Sequence, residues 1–216
     1  MLDFANEPVE MPFIETGVLA DPAPFARARS QAVVFFPAAS EIYAQGEKSG
    51  AYYLVEFGAV RVYRLLSDGR RQISAFYLAG EMFGFESDRT HHFFAESIVA
   101  TGIRPFRPAA GADFSRELLP HALRGMTRAQ EHLLVLGRQN AIERVGAFLL
   151  DMAERQGGLR RIELPMSRQD IGDYLGLTIE TVSRILSKLR AKSVIRLHGL
   201  RSVEILKWDI LQCMCV

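Results

Sequence analysis

Cysteine is almost missing from these 216 residues: there are two, Cys213 and Cys215, both within the last four positions. One intervening residue is a poor geometry for a disulfide, and two thiols fall short of a four-ligand metal site. The pair therefore reads as part of a loose C-terminal tail. Histidine is sparse as well, with only His91 and His92 in the part of the chain that reads as β and His121, His132 and His198 elsewhere. A metal-dependent β-barrel enzyme needs two or three histidines and a carboxylate converging from neighbouring strands, so that class fails on ligand count and no metal site is expected. The chain also lacks a nucleophile–base arrangement and a phosphate-binding glycine loop, and it reads as a protein that is not an enzyme. No apolar run approaches the roughly 20 residues that span a bilayer. The acidic start MLDFANEPVEMPF has no basic region ahead of an apolar core, so no signal peptide is expected and the chain is expected in the cytoplasm, away from membranes. Charge of one sign is lacking too. The formal net charge is +1, with 49% hydrophobic and 24% charged residues, the composition of an ordinary globular protein.

What is present is a local imbalance. Between Leu159 and Arg201 stand nine Lys or Arg against four acids. A basic C-terminal module on a near-neutral body fits a DNA-binding unit attached to something else. The stretch 167–201, SRQDIGDYLGLTIETVSRILSKLRAKSVIRLHGLR, gives that module a shape. Ser167 with Asp170 three residues on predicts a helix N-cap. Ile171, Tyr174 and Leu175 follow at helical spacing, and Gly176 predicts a left-handed stop. Thr178 caps a second helix with an apolar face of Ile179, Val182, Ile185, Leu186 and Leu189. Gly172 is small where two such helices cross.

This is helix-turn-helix patterning, and it leaves Glu180, Thr181, Ser183, Arg184 and Lys188 on the outward face of the second helix. A recognition helix puts that N-terminal part against base edges in the major groove. Arg pairs bidentately with guanine and Glu accepts from cytosine N4, so Glu180 and Arg184, with Ser183 beside them, are the expected base readers. Ser167, Thr178, Thr181 and Lys188 are expected on the phosphate backbone. The run VIRLHGLRSVEIL then reads as two strands around His198-Gly199, a wing whose flanking Arg196 and Arg201 also suit phosphates.

Upstream, residues 1–30 are weakly patterned and proline-containing, and read as an arm. From about Gln31 the chain becomes short β runs punctuated by Gly46, Gly50, Gly58, Asp68-Gly69 and Gly80, as sandwich and barrel folds are. Asp68-Gly69 is the firmest hairpin signal, and AESIVATGIRPF (95–106) is predicted as one closing strand. From about Ala112 to Gln139, Leu119, Leu123, Met126, Gln130 and Leu133 step by 4, 3, 4 and 3, a heptad seam for a helix that pairs with its twin. A homodimer presents two recognition helices to a palindrome. Asn140–Arg155 is a further helix with Ile142, Val145, Phe148, Leu149 and Met152 inside, ended by Gly157-Gly158.

A β domain, a long dimer helix and a winged helix-turn-helix in this order resemble the CRP/FNR family of bacterial transcription regulators over roughly residues 30–210. IETVSR (179–184) is the most specific piece, because the FNR branch has Glu, then Ser and Arg, at the positions of Glu180, Ser183 and Arg184. The resemblance implies an α+β protein with an antiparallel β-roll of the cyclic-nucleotide-binding jelly-roll type over 31–111. The dimerisation helix would occupy 112–139 and the winged helix 140–216. It further implies a TTGA…TCAA palindrome as target, activation of micro-oxic or anaerobic genes, and contact with RNA polymerase. Gly80-Glu81 is similar to the cyclic-nucleotide signature, but the phosphate-clasping arginine falls near Phe94, with Arg89-Thr90 several residues early. No cyclic nucleotide is therefore expected, a cAMP- or cGMP-gated regulator standing as the alternative. Residues 1–30 contain no cysteine, which removes the iron–sulfur cluster of FNR itself and makes the chain most similar to the FixK subgroup, with no cofactor. A haem-based gas sensor using the loop pair His91-His92 is the other alternative.

Overall fold

The computed structural model describes residues 29–30, 32–107, 115–138 and 140–214. Most of the predicted arm, the lead into the dimer helix, Gln139 and Cys215 thus lie outside the described residues. Arg29–Ser30 form β1, which pairs with Arg107 and Phe106, so the last two arm residues belong to the β unit.

Among the described residues of the β unit, nine strands, all paired antiparallel, make two facing sheets. The strands after β1 are β2 (Val34–Phe36), β3 (Glu41–Tyr43), β4 (Tyr52–Phe57), β5 (Ala59–Leu65), β6 (Arg71–Leu78), β7 (Met82–Phe83), β8 (Phe94–Ser97) and β9 (Thr101–Arg107). One sheet runs β1-β9-β4-β7 with β2 also on β9; the other runs β3-β8-β5-β6. Alternating side chains of both sheets meet between them, where Tyr43, Val55, Val60, Val62, Phe83, Ala95 and Ile103 are buried. The β5–β6 hairpin turns at Asp68-Gly69, with Gly69 at φ 81° and its amide donating to Leu66 O at 2.9 Å. The predicted single strand 95–106 is two, β8 and β9, and they lie in different sheets. The buried Thr101 hydroxyl makes the corner, donating to Val99 O at 2.7 Å and accepting from the Ala59 amide at 3.2 Å. The sequence does not mark that crossing, because Ile98, Val99 and Ala100 between the two strands include no Gly, Pro, Asn or Asp to signal a break.

The long helix α1 is Ser115–Leu136, and α2 is Ala141–Arg155 with Val145, Phe148, Leu149 and Met152 buried. After β10 (Arg161–Glu163) come α3 (Arg168–Leu175) and α4 (Ile179–Ala191), then β11 (Ile195–Leu197), β12 (Ser202–Ile205) and α5 (Trp208–Cys213). The C-terminal strands form one antiparallel sheet, β10-β12-β11. The loose-tail reading is corrected for Cys213, which is exposed but closes α5, a helix anchored by the buried Leu211. One apolar core runs from Ile73, Phe76 and Leu78 of the β unit into Phe148, Leu175, Val182 and Leu189. The two modules are therefore packed together within the subunit. No helix among the described residues is long and apolar enough to cross a membrane.

Candidate nucleic-acid interface

The helix-turn-helix is built by local chemistry. Ser167 Oγ accepts from the Asp170 amide at 3.0 Å while Asp170 Oδ2 accepts from the Ser167 amide at 3.0 Å, a complete capping box on α3. Gly176 ends α3 at φ 63°. At Gly172 a Cβ would stand 2.7 Å from the Leu177 carbonyl oxygen, so glycine is what lets α3 and the turn approach. Arg144 Nη1 donates to Leu175 O at 3.2 Å, a cation on a C-terminal carbonyl of α3. Thr178 Oγ1 accepts from the Thr181 amide at 3.2 Å and caps α4.

On α4 the side chains Val182, Ile185, Leu186 and Leu189 are buried, which turns Glu180, Arg184 and Lys188 outward, all exposed. Thr181 and Ser183 are half-buried beside them. Ile179, expected on the apolar face, is instead 38% exposed. It opens the first turn of α4, just outside the contact with α3. Hydrogen bonds from its own amide and the Thr178 hydroxyl hold the Glu180 carboxyl below the usual range, so it is an acceptor at working pH. The wing is β11 and β12 around Gly199, with Arg196 and Arg201 exposed. Arg196 Nη1 lies 2.9 Å from Glu204 Oε2, which also takes His198 Nε2 at 2.8 Å. A phosphate must therefore compete with Glu204 for Arg196. The Ser167 hydroxyl donates to Asp170 Oδ2 at 2.7 Å, which leaves it no proton for a phosphate. Its part is to cap α3.

A model of the Crp-like helix-turn-helix domain matches residues 143–214, and one of the cyclic nucleotide-binding domain matches residues 33–102. The nitrogen fixation regulation protein FixK of Rhizobium meliloti (strain 1021) is 55% identical over 194 residues, covering 90% of this chain and 91% of that protein. This chain belongs to the CRP/FNR family, in its FixK subgroup. A FixK of Azorhizobium caulinodans is 42% identical, covering 76% of this chain and 71% of its own length. The structure of FixK2 from Bradyrhizobium japonicum matches with a TM-score of 0.79 at 41% identity, over 88% of this chain and 98% of that one. Like those relatives, this CRP/FNR protein is a DNA-binding transcription regulator.

The family's other functional region looks different from its sequence signature. Glu81 carries three partners: Arg128 of α1 at 2.9 Å, Arg155 of α2 at 2.7 Å and the Leu78 amide at 2.9 Å. His91, one of the loop pair offered for haem, is not at the surface. It is 2% exposed, stacked on Tyr43 at 3.7 Å, with Nδ1 3.1 Å from Glu86. Sequence reasoning also missed two ties between modules. His132 of α1 stacks on Tyr174 of α3 at 3.7 Å and bonds its carbonyl at 2.9 Å. Arg61 and Arg71 of the β unit reach Asp170 and Asp173 of α3. Their partners lie about a hundred residues away in the chain, so no local spacing carries the signal.

Proposed function

We propose that this FixK-type regulator binds as a homodimer to a TTGA…TCAA palindrome and activates genes of micro-oxic metabolism, nitrogen fixation among them. Glu180, Ser183 and Arg184 read base edges, and Thr178, Thr181, Lys188, Arg196 and Arg201 hold phosphates. The observation that carries this reading is the outward placement of Glu180 and Arg184 on the first turns of α4, over a buried Val182-Ile185-Leu186 face. The pairing surface is α1, where Leu119, Leu123, Met126, Gln130 and Leu133 are all exposed in the single subunit. Apolar side chains at heptad spacing left about half exposed are a seam waiting for its twin. The protein works in the cytoplasm, where its DNA is, and its β-roll offers the surface for RNA polymerase.

Regulation by a cyclic nucleotide is disfavoured by the state of Glu81. Its carboxylate is already satisfied by two guanidinium groups and an amide, so a nucleotide would have to displace an ion pair to reach it.

Selection of bound DNA from a random pool tests the reading. The wild-type protein should enrich the palindrome. Glu180→Ala should relax discrimination at one position of each half-site, and Arg184→Ala should cost about 1–3 kcal/mol per half-site. Enrichment of the same sequences at the same strength by both variants sinks the assignment.

A further inference from the structure

We propose that Arg61 and Arg71 are positioning residues for DNA recognition, clamping the first helix of the helix-turn-helix to the β-roll of the same subunit. The clamp rests on the reading of α4 as the base-reading helix and says how that helix is aimed without an effector. Arg61 lies on β5, Arg71 on β6 and Glu96 on β8, three strands of one sheet. Arg71 Nη2 is 2.6 Å from Asp170 Oδ1, and Arg61 Nη1 is 3.2 Å from the same oxygen. Arg61 Nη2 is also held by Glu96 at 2.6 Å, which fixes its guanidinium in place. Arg71 takes Asp173 as well at 2.8 Å, and Gln72 Nε2 donates to the Asp173 carbonyl at 2.8 Å.

Asp170 is the key member because it does two jobs. Its side chain is 3% exposed, and it is also the acid of the capping box that starts α3. One carboxylate thus joins the sheet to the first turn of the helix. A buried carboxylate left with one guanidinium fewer is strongly disfavoured, so the clamp resists opening. The close approach at Gly172 carries any constraint on α3 to the turn before α4. The clamped side faces the roll, and Glu180, Arg184 and Lys188 stay exposed on the other. The closed arrangement is therefore one in which the reading face is open.

The consequence is a population effect. If α3 is unclamped, only a fraction of subunits presents α4 correctly, and the apparent affinity falls by that fraction. A palindrome needs both subunits correct at once, so its loss is the square of the loss on a single half-site.

The experiment compares Arg71→Gln, Arg71→Lys and Asp173→Asn with wild type on the palindrome, a single half-site and scrambled DNA. Thermal melting checks the fold, and small-angle scattering follows the shape of the free protein. For Arg71→Gln we expect a threefold loss on the half-site and roughly a tenfold loss on the palindrome. Scrambled DNA should be bound as before, and the free protein should expand. Arg71→Lys should restore part of the loss, and Asp173→Asn, which spares the cap, should show the same pattern more weakly. Equal losses on all three DNAs, or no loss, overturn the clamp. If wild type itself shows no preference for the palindrome, base reading fails and scattering alone decides. An expanded Arg71→Gln then supports the clamp, and an unchanged one overturns it.

Discussion

Truncating the proposed α1 seam should break the proposed dimer without unfolding the subunit. Leu133 is 67% exposed and Leu123 47% exposed in the single chain. Full burial of a leucine stabilises by about 1.5–3 kcal/mol, so burying what is still exposed contributes about 1–2 kcal/mol at Leu133 and about 1 kcal/mol at Leu123. Each substitution occurs twice in a two-fold dimer. Allowing for the methyl that alanine keeps, Leu123→Ala with Leu133→Ala should cost about 4 kcal/mol, a dissociation constant raised about a thousandfold. Sedimentation over a dilution series reads that constant directly. Circular dichroism should be unchanged, since neither side chain belongs to the buried core of its own subunit. Palindrome binding at low protein concentration should fall in step with dissociation. A double variant that remains as dimeric as wild type refutes the seam, and with it the two-fold presentation of α4.

Lys188→Ala should weaken binding to every sequence alike and lower the slope of log affinity against log salt by about one, measured by titration at several salt concentrations. Burial holds His132 below the ordinary imidazole range, the Tyr174 carbonyl opposing it only in part. Below about pH 6.5 the unfolded chain takes up a proton that the folded chain refuses until its own lower value is reached. Stability is therefore full above that window and falls as pH drops through it. His132→Gln, whose amide still donates to Tyr174 O, should flatten that part of the melting-temperature profile; an unchanged slope would mean His132 does not titrate there. Discrimination by Glu180, whose carboxyl is held below the usual range, should stay constant from about pH 5.5 to 8 in the same binding assay.

The helix-turn-helix was legible because every signal in it is local. Ser167 caps through Asp170 three residues on, Gly176 stops its helix, and Val182, Ile185 and Leu189 repeat at helical spacing. The β-roll was legible as short runs between glycines, but its corner at Thr101 was not, since no turn residue separates Ser97 from Thr101 where the chain passes from one sheet to the next. The burial of His91 was illegible for a related reason. A loop sequence does not reveal that Tyr43, far earlier in the chain, lies flat against the imidazole.

By itself the sequence determined the helix-turn-helix, the order of the modules and which side chains of the second helix face outward, because caps, turn glycines and periodic apolar residues act over three to seven positions. Only the tertiary structure decided how the DNA module sits on the roll. That choice belongs to charges such as the half-buried Arg61 and the buried Asp170, 109 residues apart, whose attraction acts only once folding has brought them together and removed most of the water around them.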